Sequence, residues 1–364
     1  MTRPDLRHLE NPELARRLVD AIQALDVPRA NLMEVCGTHT MAIAKSGIRS
    51  LLPVGIRLLS GPGCPVCVTS NRDIDTVIAL ARMRGVTVAT FGDMVRVPGS
   101  STSLAELRGQ GADVEMVYSP LDALELAAAR PEAQVVFVGV GFETTAPAVA
   151  ATIKAARVRG IGNFSVLCAH KNVPSVLEAL VNDPQVAVDA FILPGHVSTI
   201  IGCEPYRFLA ERHGIPGVVT GFGTLDVLQG IAMLLRQLAE GHAEIENAYV
   251  RGVSWEGNPA AVACMDEVFE ECDAEWRGLG VIPHSGYRIR EEFIAFDALR
   301  RFNPEVEKTV EPAGCRCADV LRGVLAPAEC PLFGRACTPE TPVGPCMVST
   351  EGSCAAHHRY RIVE

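Results

Sequence analysis

The strongest constraint on this chain is a strand–helix alternation that runs twice. "NLMEV", "IRLLS", "VTVATF" and "VEMVY" are short apolar runs of strand length, separated by turn signals and helical segments such as "DIDTVIALARMRG" and "SPLDALELAAA". Strand alternating with helix implies a parallel sheet with helical crossovers. About a hundred residues on, the order returns as "QVVFVGVGFETT", "FSVLCAHKNVPSVLEAL", "VDAFILPGHVS" and "VVTGFGTLDVLQGIAMLL". The spacing holds: Cys36 and Gly141 are 105 apart, Leu121 and Leu225 are 104 apart. The expected fold class is therefore α/β, with two similar parallel-sheet, Rossmann-like domains from a duplication; a C-terminal domain follows, expected to be an iron–sulfur domain from the six cysteines Cys315, Cys317, Cys330, Cys337, Cys346 and Cys354 that crowd it. The expected boundaries are 1–130, 131–240 and 241–364. An opening amphipathic helix should place Leu14, Leu18, Ile22 and Leu25 on one face.

In an open parallel sheet, ligands bind beyond the carboxyl ends of the strands. Cys36 follows the first strand, Cys64 and Cys67 the second, Asp93 the third. Glu143, Thr144, His170 and His196 hold the corresponding places in the second half. If the two edges face each other, these groups line one cleft.

Composition narrows the class. The chain has 364 residues, 48% apolar and 21% charged, with a net charge of −10. Such a chain is globular and lacks the basic surface of a nucleic-acid binder. No apolar run is long enough to span a bilayer, and "MTRPDLRHLENPELARRL" lacks the apolar core of a signal peptide. A cytoplasmic location is expected. Thirteen cysteines in that compartment read as metal ligands, redox thiols and buried bystanders rather than a disulfide framework.

Two loops carry the early thiols. In "CGTHT", Gly37 should let the backbone turn, Cys36 should feel a helix N-terminus that lowers its pKa, and His39 could orient or deprotonate it. A buried structural cysteine is the plainer alternative. "GPGCPVC" holds Cys64 and Cys67 as C-x-x-C, suited to a reversible disulfide or to two ligands of one metal. No second C-x-x-C exists to close a zinc site, which favours redox use. Both loops lie away from core-facing runs. Asp93 in "TFGDMVRVPG" is a proton or hydrogen-bond acceptor, or simply a helix cap, and Arg96 is an anion anchor. No G-x-G-x-x-G exists to bind a dinucleotide.

The densest signal is C-terminal. Cys315, Cys317, Cys330, Cys337, Cys346 and Cys354 crowd a stretch broken by proline and glycine, with no element long enough to build a core. A metal would supply the missing stability. Wide spacing of Cys315, Cys330, Cys337 and Cys354 favours an iron–sulfur cluster over zinc, which prefers close pairs. Cys317 and Cys346 compete as ligands, and spacing leaves that choice open.

With those stretches assembled, the chain resembles the HypD family of [NiFe]-hydrogenase maturation proteins. The resemblance rests on "CGTHT", "GPGCPVC", "TFGDMVRVPG", "GFETTAPA", "PGHVS" and "ECPLFGRACTPETPVGPCMVSTEGSC", from about Asn31 to the end. "AAHHRY" carries two histidines where aromatic residues are expected. The resemblance implies a scaffold on which an Fe(CN)2CO fragment is built. It implies a small HypC-like partner, a HypE-like cyanide donor and a [4Fe–4S] cluster. The family pattern C-x14-C-x6-C-x16-C falls on Cys315, Cys330, Cys337 and Cys354. Cys36 matches the thiol that holds iron with a partner cysteine. Cys64 and Cys67 match the redox or iron-site pair. A cluster-dependent thiol–disulfide oxidoreductase acting through Cys64 and Cys67 is the second reading, and a zinc-stabilised binding module the third.

Overall fold

The computed structural model describes residues 11–360; the first ten residues of the charged opening lie outside the described residues. All eight expected strands form: β1 (Ala30–Glu34), β2 (Ile56–Ser60), β3 (Val86–Thr90), β4 (Val114–Met116), β5 (Gln134–Gly139), β6 (Phe164–Cys168), β7 (Ala190–Pro194) and β8 (Gly217–Thr220). Three more follow: β9 (Ile245–Asn247), β10 (Phe269–Trp276) and β11 (Gly280–Ile289).

The strands make two parallel sheets, ordered β2-β1-β7-β8-β9 and β4-β3-β5-β6, and an antiparallel β10–β11 hairpin. Strand burial explains who sits in the middle. β1, β3 and β7 are buried along their whole length and β5 nearly so, as central parallel strands covered on both faces must be. β2, β4 and β9 expose part of their length at the edges.

The sheets do not divide the chain at residue 130. β1 and β2 pair with β7 and β8, whereas β3 and β4 pair with β5 and β6. Each sheet thus takes two strands from each half. The repeat itself is kept. Glu34 opposite Ser60 corresponds to Gly139 opposite Cys168, and Thr90 opposite Met116 to Pro194 opposite Thr220. A two-strand unit needs further strands to bury its faces, and the partner unit of the other repeat supplies them as well as its own would. The chain therefore crosses between sheets twice, after β2 and after β6. "GPGCPVC" and "AHKNVPS" lie in those crossings.

The opening helix α1 (Pro12–Ala24) is capped by Asn11 and begins with Pro12. It buries Ala15, Val19 and Ile22, while Leu14 is 40% exposed, so its inward face is rotated from the expected one. The C-terminal segment has only short helices, among them Cys317–Leu321, Pro345–Val348 and Ser353–Tyr360. It makes no core of its own. Cys317, Cys337, Cys346 and Cys354 share one apolar cluster with Met33 and Val35 from the β1 edge, Phe191 of β7 and Trp276 of β10.

Candidate functional site

The carboxyl ends of the two sheets enclose a cavity of about 240 Å³. Cys36, Thr38 and Gly63 line it from one sheet; Phe91, Thr144 and Thr145 from the other; His196 and Glu351 complete it. Cys36, Thr144 and His196 therefore meet as expected. Glu143 and His170 do not line it. Glu143 is buried, accepts a hydrogen bond from the Val173 N–H at 2.9 Å, and burial raises its carboxyl to about 7. His170 is buried against the end of β5 with Nδ1 3.6 Å from Cys168 Sγ, and burial lowers its pKa to about 3.

Cys36 ends β1 and precedes helix α2 (Gly37–Ser46). Glu34 fixes this turn: its carboxyl accepts from the Cys36 N–H at 3.0 Å and from Thr40 Oγ1 at 2.5 Å. Burial raises the Glu34 carboxyl to about 8. Gly37 is needed for room rather than for a turn, since a Cβ there would stand 2.6 Å from Glu351 Cβ. Glu351 in turn accepts from Thr38 Oγ1 at 2.7 Å.

The Cys36 thiol is pushed up to about 12, first by burial and further by the Glu351 and Glu34 carboxyls, against amide hydrogen bonds from His39 and Thr38. The expected lowering by the helix N-terminus is overturned. Loss of water shifts a buried thiol by units, whereas a helix end contributes about 0.3–1 kcal/mol. His39 is not a base for this thiol. Its Nε2 donates to the Gly221 carbonyl at 3.0 Å and meets Thr220 Oγ1 at 2.9 Å. Burial lowers its pKa to about 4, so the ring is neutral at pH 7.

The second loop touches the first. Gly37 N–H donates to the Gly63 carbonyl at 3.0 Å, and a Cβ on Gly63 would lie 2.1 Å from the Cys36 nitrogen, so only glycine allows this approach. Cys64 caps a one-turn helix α3 (Pro65–Val68), and Cys64 and Cys67 are joined as a disulfide. They are 3% and 0% exposed, so these thiols are not on the surface. Asn172 and Ser175 occupy the matching cap positions in the other crossing, with the Asn172 side chain accepting from the Ser175 N–H. There the chain has a cap and no redox chemistry.

Asp93, in the short helix Gly92–Val95, faces the C-terminal segment rather than the Cys36 thiol. Its Oδ2 accepts from Ser349 Oγ at 3.1 Å and from the Thr350 N–H at 3.2 Å. Arg96 donates to the Pro339 carbonyl. Asp93, Thr38 and Gly37 thus hold residues 349–351 as a strap over the cleft. Glu351 was missed in the sequence because nothing local marks it. Glu34 carried a readable signal, a carboxyl inside the apolar run "NLMEV".

Beyond the strap, Cys315, Cys317, Cys330, Cys337, Cys346 and Cys354 line one small cavity with Leu332, Phe333 and Met347. Cys317 accepts hydrogen bonds from Cys315 and Cys346, which lower its pKa, and Cys346 also contacts Cys354. Gly344 gives Cys315 its room, as a Cβ would stand 2.6 Å from Sγ. Among the described residues, no three His, Cys, Asp or Glu side chains are already spaced to grip a metal ion.

The chain is similar to known proteins over nearly its whole length. The family model HypD, described as "Hydrogenase formation hypA family", matches residues 13–361. The chain is 47% identical over 357 residues to hydrogenase maturation factor HypD of Rhizobium leguminosarum bv. viciae, covering 95% of this chain and 93% of the relative. It is 45% identical over 365 residues to the HypD of Cupriavidus necator, covering 98% and 96%. It is 45% identical over 331 residues to the HypD of Escherichia coli K12, covering 91% and 89%. With the match spanning nearly the whole chain, this protein belongs to the HypD family of hydrogenase formation proteins.

Proposed function

We propose that the chain is a hydrogenase maturation factor that works as a scaffold rather than a turnover enzyme. Its cargo is an iron fragment carrying two cyanides and one CO, held at Cys36. A cysteine of a small HypC-like partner supplies the second thiolate, and a HypE-like protein donates the cyanide. The observation that carries this is the convergence of Cys36 and the Cys64–Cys67 loop at one cleft between two sheet edges. A partner cysteine must enter that cleft to share a metal, since metal–thiolate bonds are about 2.3 Å long.

The chain's own residues suit this task. Cys36 keeps its proton until a cation arrives, because a buried thiolate without one is costly. Glu34 and the Gly37–Gly63 contact hold the sulfur in place. The neutral His39 adds no positive charge against the cargo. The Cys64–Cys67 pair exchanges two electrons beside the iron site.

The six-thiol cavity suits a thiolate-bound group, with walls that are apolar apart from Arg316 and with cysteine sulfur supplying the metal-binding atoms. Cys315, Cys330, Cys337 and Cys354 would hold a [4Fe–4S] cluster, which when bound supplies electrons one at a time. The strap runs from Cys346 to Cys354 past Asp93 and Thr38, so this cavity and the cleft share a short segment of chain.

The oxidoreductase reading gains from the disulfide but loses on access. Sulfurs this deeply buried cannot meet the disulfide of another folded protein. Complementation of a strain lacking this factor tests the proposal. Cys36→Ala and Cys64→Ala should abolish hydrogenase activity while circular dichroism stays native. Full activity in either variant would contradict it.

A further inference from the structure

We propose that Arg277, supported by Lys171, is a positioning residue that biases the Cys64–Cys67 pair toward its reduced form. Arg277 follows β10 and is 4% exposed. Its N–H donates to the carbonyl of Val68, the last residue of α3, at 2.9 Å. Its Nε donates to the Thr69 carbonyl at 3.0 Å, and its guanidinium also donates to Asn71 Oδ1. One arginine thus grips Val68 at the end of the disulfide helix through its backbone, and Thr69 and Asn71 just beyond it through its side chain. Its ion-pair partner, Glu311, stands 3.2 Å away with its side chain 61% exposed.

Lys171 repeats the arrangement. It is 3% exposed, 3.5 Å from Asp73, whose side chain is 34% exposed, and 5.8 Å from the ring of Trp276. Trp276 bridges to Thr69 and shares an apolar cluster with Cys64 and Cys67. Two cations are therefore inside, and the carboxylates that answer them face outward. Buried cations are costly when their partners are solvated. Arg277 already faces the Cys317 thiol and Lys171 those of Cys168 and Cys272; a further negative charge arriving inside offsets that cost, and reduction of the disulfide just before Thr69 brings one.

The proposal rests on the reading of Cys64–Cys67 as an electron-exchanging pair. Reduction breaks the S–S bond and takes two electrons from a dithiol, or from a low-potential one-electron donor acting twice. Two protons are taken up when both sulfurs end as thiols, and one when a thiolate remains. The guanidinium and ammonium favour this product over the neutral disulfide.

The test is the equilibrium of the full-length chain with dithiothreitol, read anaerobically by thiol labelling of the peptide holding Cys64 and Cys67. Arg277→Met should move the equilibrium about tenfold toward the disulfide, a potential about 30 mV lower. Lys171→Met should move it the same way by less, and Arg277→Lys, which keeps the charge, should stay within about twofold. An unchanged equilibrium in folded Arg277→Met overturns the proposal. So does an equal shift in Arg277→Lys, which would assign the effect to the forked hydrogen bonds. If Arg277→Met does not fold, an unchanged Lys171→Met overturns it alone. No iron or partner is present, so failure of the iron-scaffold reading leaves this result standing. A pair that dithiothreitol never reduces in the wild-type chain would instead defeat the redox reading itself.

Discussion

At Glu34 a carboxyl sits where β1 needs an apolar side chain, and two hydrogen bonds justify it. Holding it near pKa 8 means the folded chain keeps a proton there that the unfolded chain, near 4.3, releases. Folded protein then binds more protons between about pH 4.5 and pH 8, so stability falls as pH rises through that window. Glu143, raised to about 7, adds to the same slope. Below about pH 6.5 the buried neutral His39, His170 and His357 act the other way, so the decline is read above it: urea midpoints at pH 6.8, 7.4 and 8 should fall in the wild type. Glu34→Gln should flatten the decline, leaving only the Glu143 part. A midpoint that rises with pH would contradict this assignment. The residue scale also marks what sequence could tell. "CGTHT" and "GPGCPVC" located the thiols and their shared edge. The state of those thiols was not legible, because burial is set by elements distant in sequence. The same holds for His39, whose ring turns to β8.

At the scale of elements, strand identity was legible and strand partnership was not. Apolar runs such as "VTVAT" and "AFILP" are buried along their length whichever sheet they join. The choice between partners of one repeat or the other depends on crossings whose direction no local pattern encodes. The strap is similar. "PCMVSTEGSC" is a loop by composition, and only the fold brings Ser349 and Thr350 to Asp93. Asp93→Ala removes both hydrogen bonds, together about 1–3 kcal/mol in local stability. Amide exchange across residues 349–354 should then quicken while β3 keeps its protection. Equal quickening in β3 would show Asp93 to be a support of the sheet instead.

For the whole molecule, the interleaving makes one body of cleft, strap and thiol cavity. The C-terminal cysteines complete the cluster of apolar residues beneath β1 and β7 rather than standing apart. Of the six thiols, Cys317 and Cys346 hydrogen-bond to each other, Cys317 also to Cys315 and Cys346 also to Cys354. Their place in the cavity does not by itself separate ligands from bystanders, and the proposed set of the other four rests on the family pattern that this chain resembles. With the proposed cluster bound, the anaerobically purified protein should be brown, and replacing any of Cys315, Cys330, Cys337 or Cys354 by Ala should remove that colour. Cys317→Ala and Cys346→Ala should retain it. Iron and sulfide counts on the six variants check the set. Bleaching by Cys346→Ala with colour kept in Cys354→Ala would show the set to be wrong.

In the proposed function Cys36, at the cleft between the interleaved sheets, holds an iron fragment shared with a partner protein. Infrared spectroscopy of the chain purified anaerobically with its HypC-like partner tests it directly. Cyanide and CO stretching bands should appear in the wild-type complex and be lost in Cys36→Ala, with the complex still formed. Absence of both bands from the wild-type complex, or their persistence in Cys36→Ala, would contradict it.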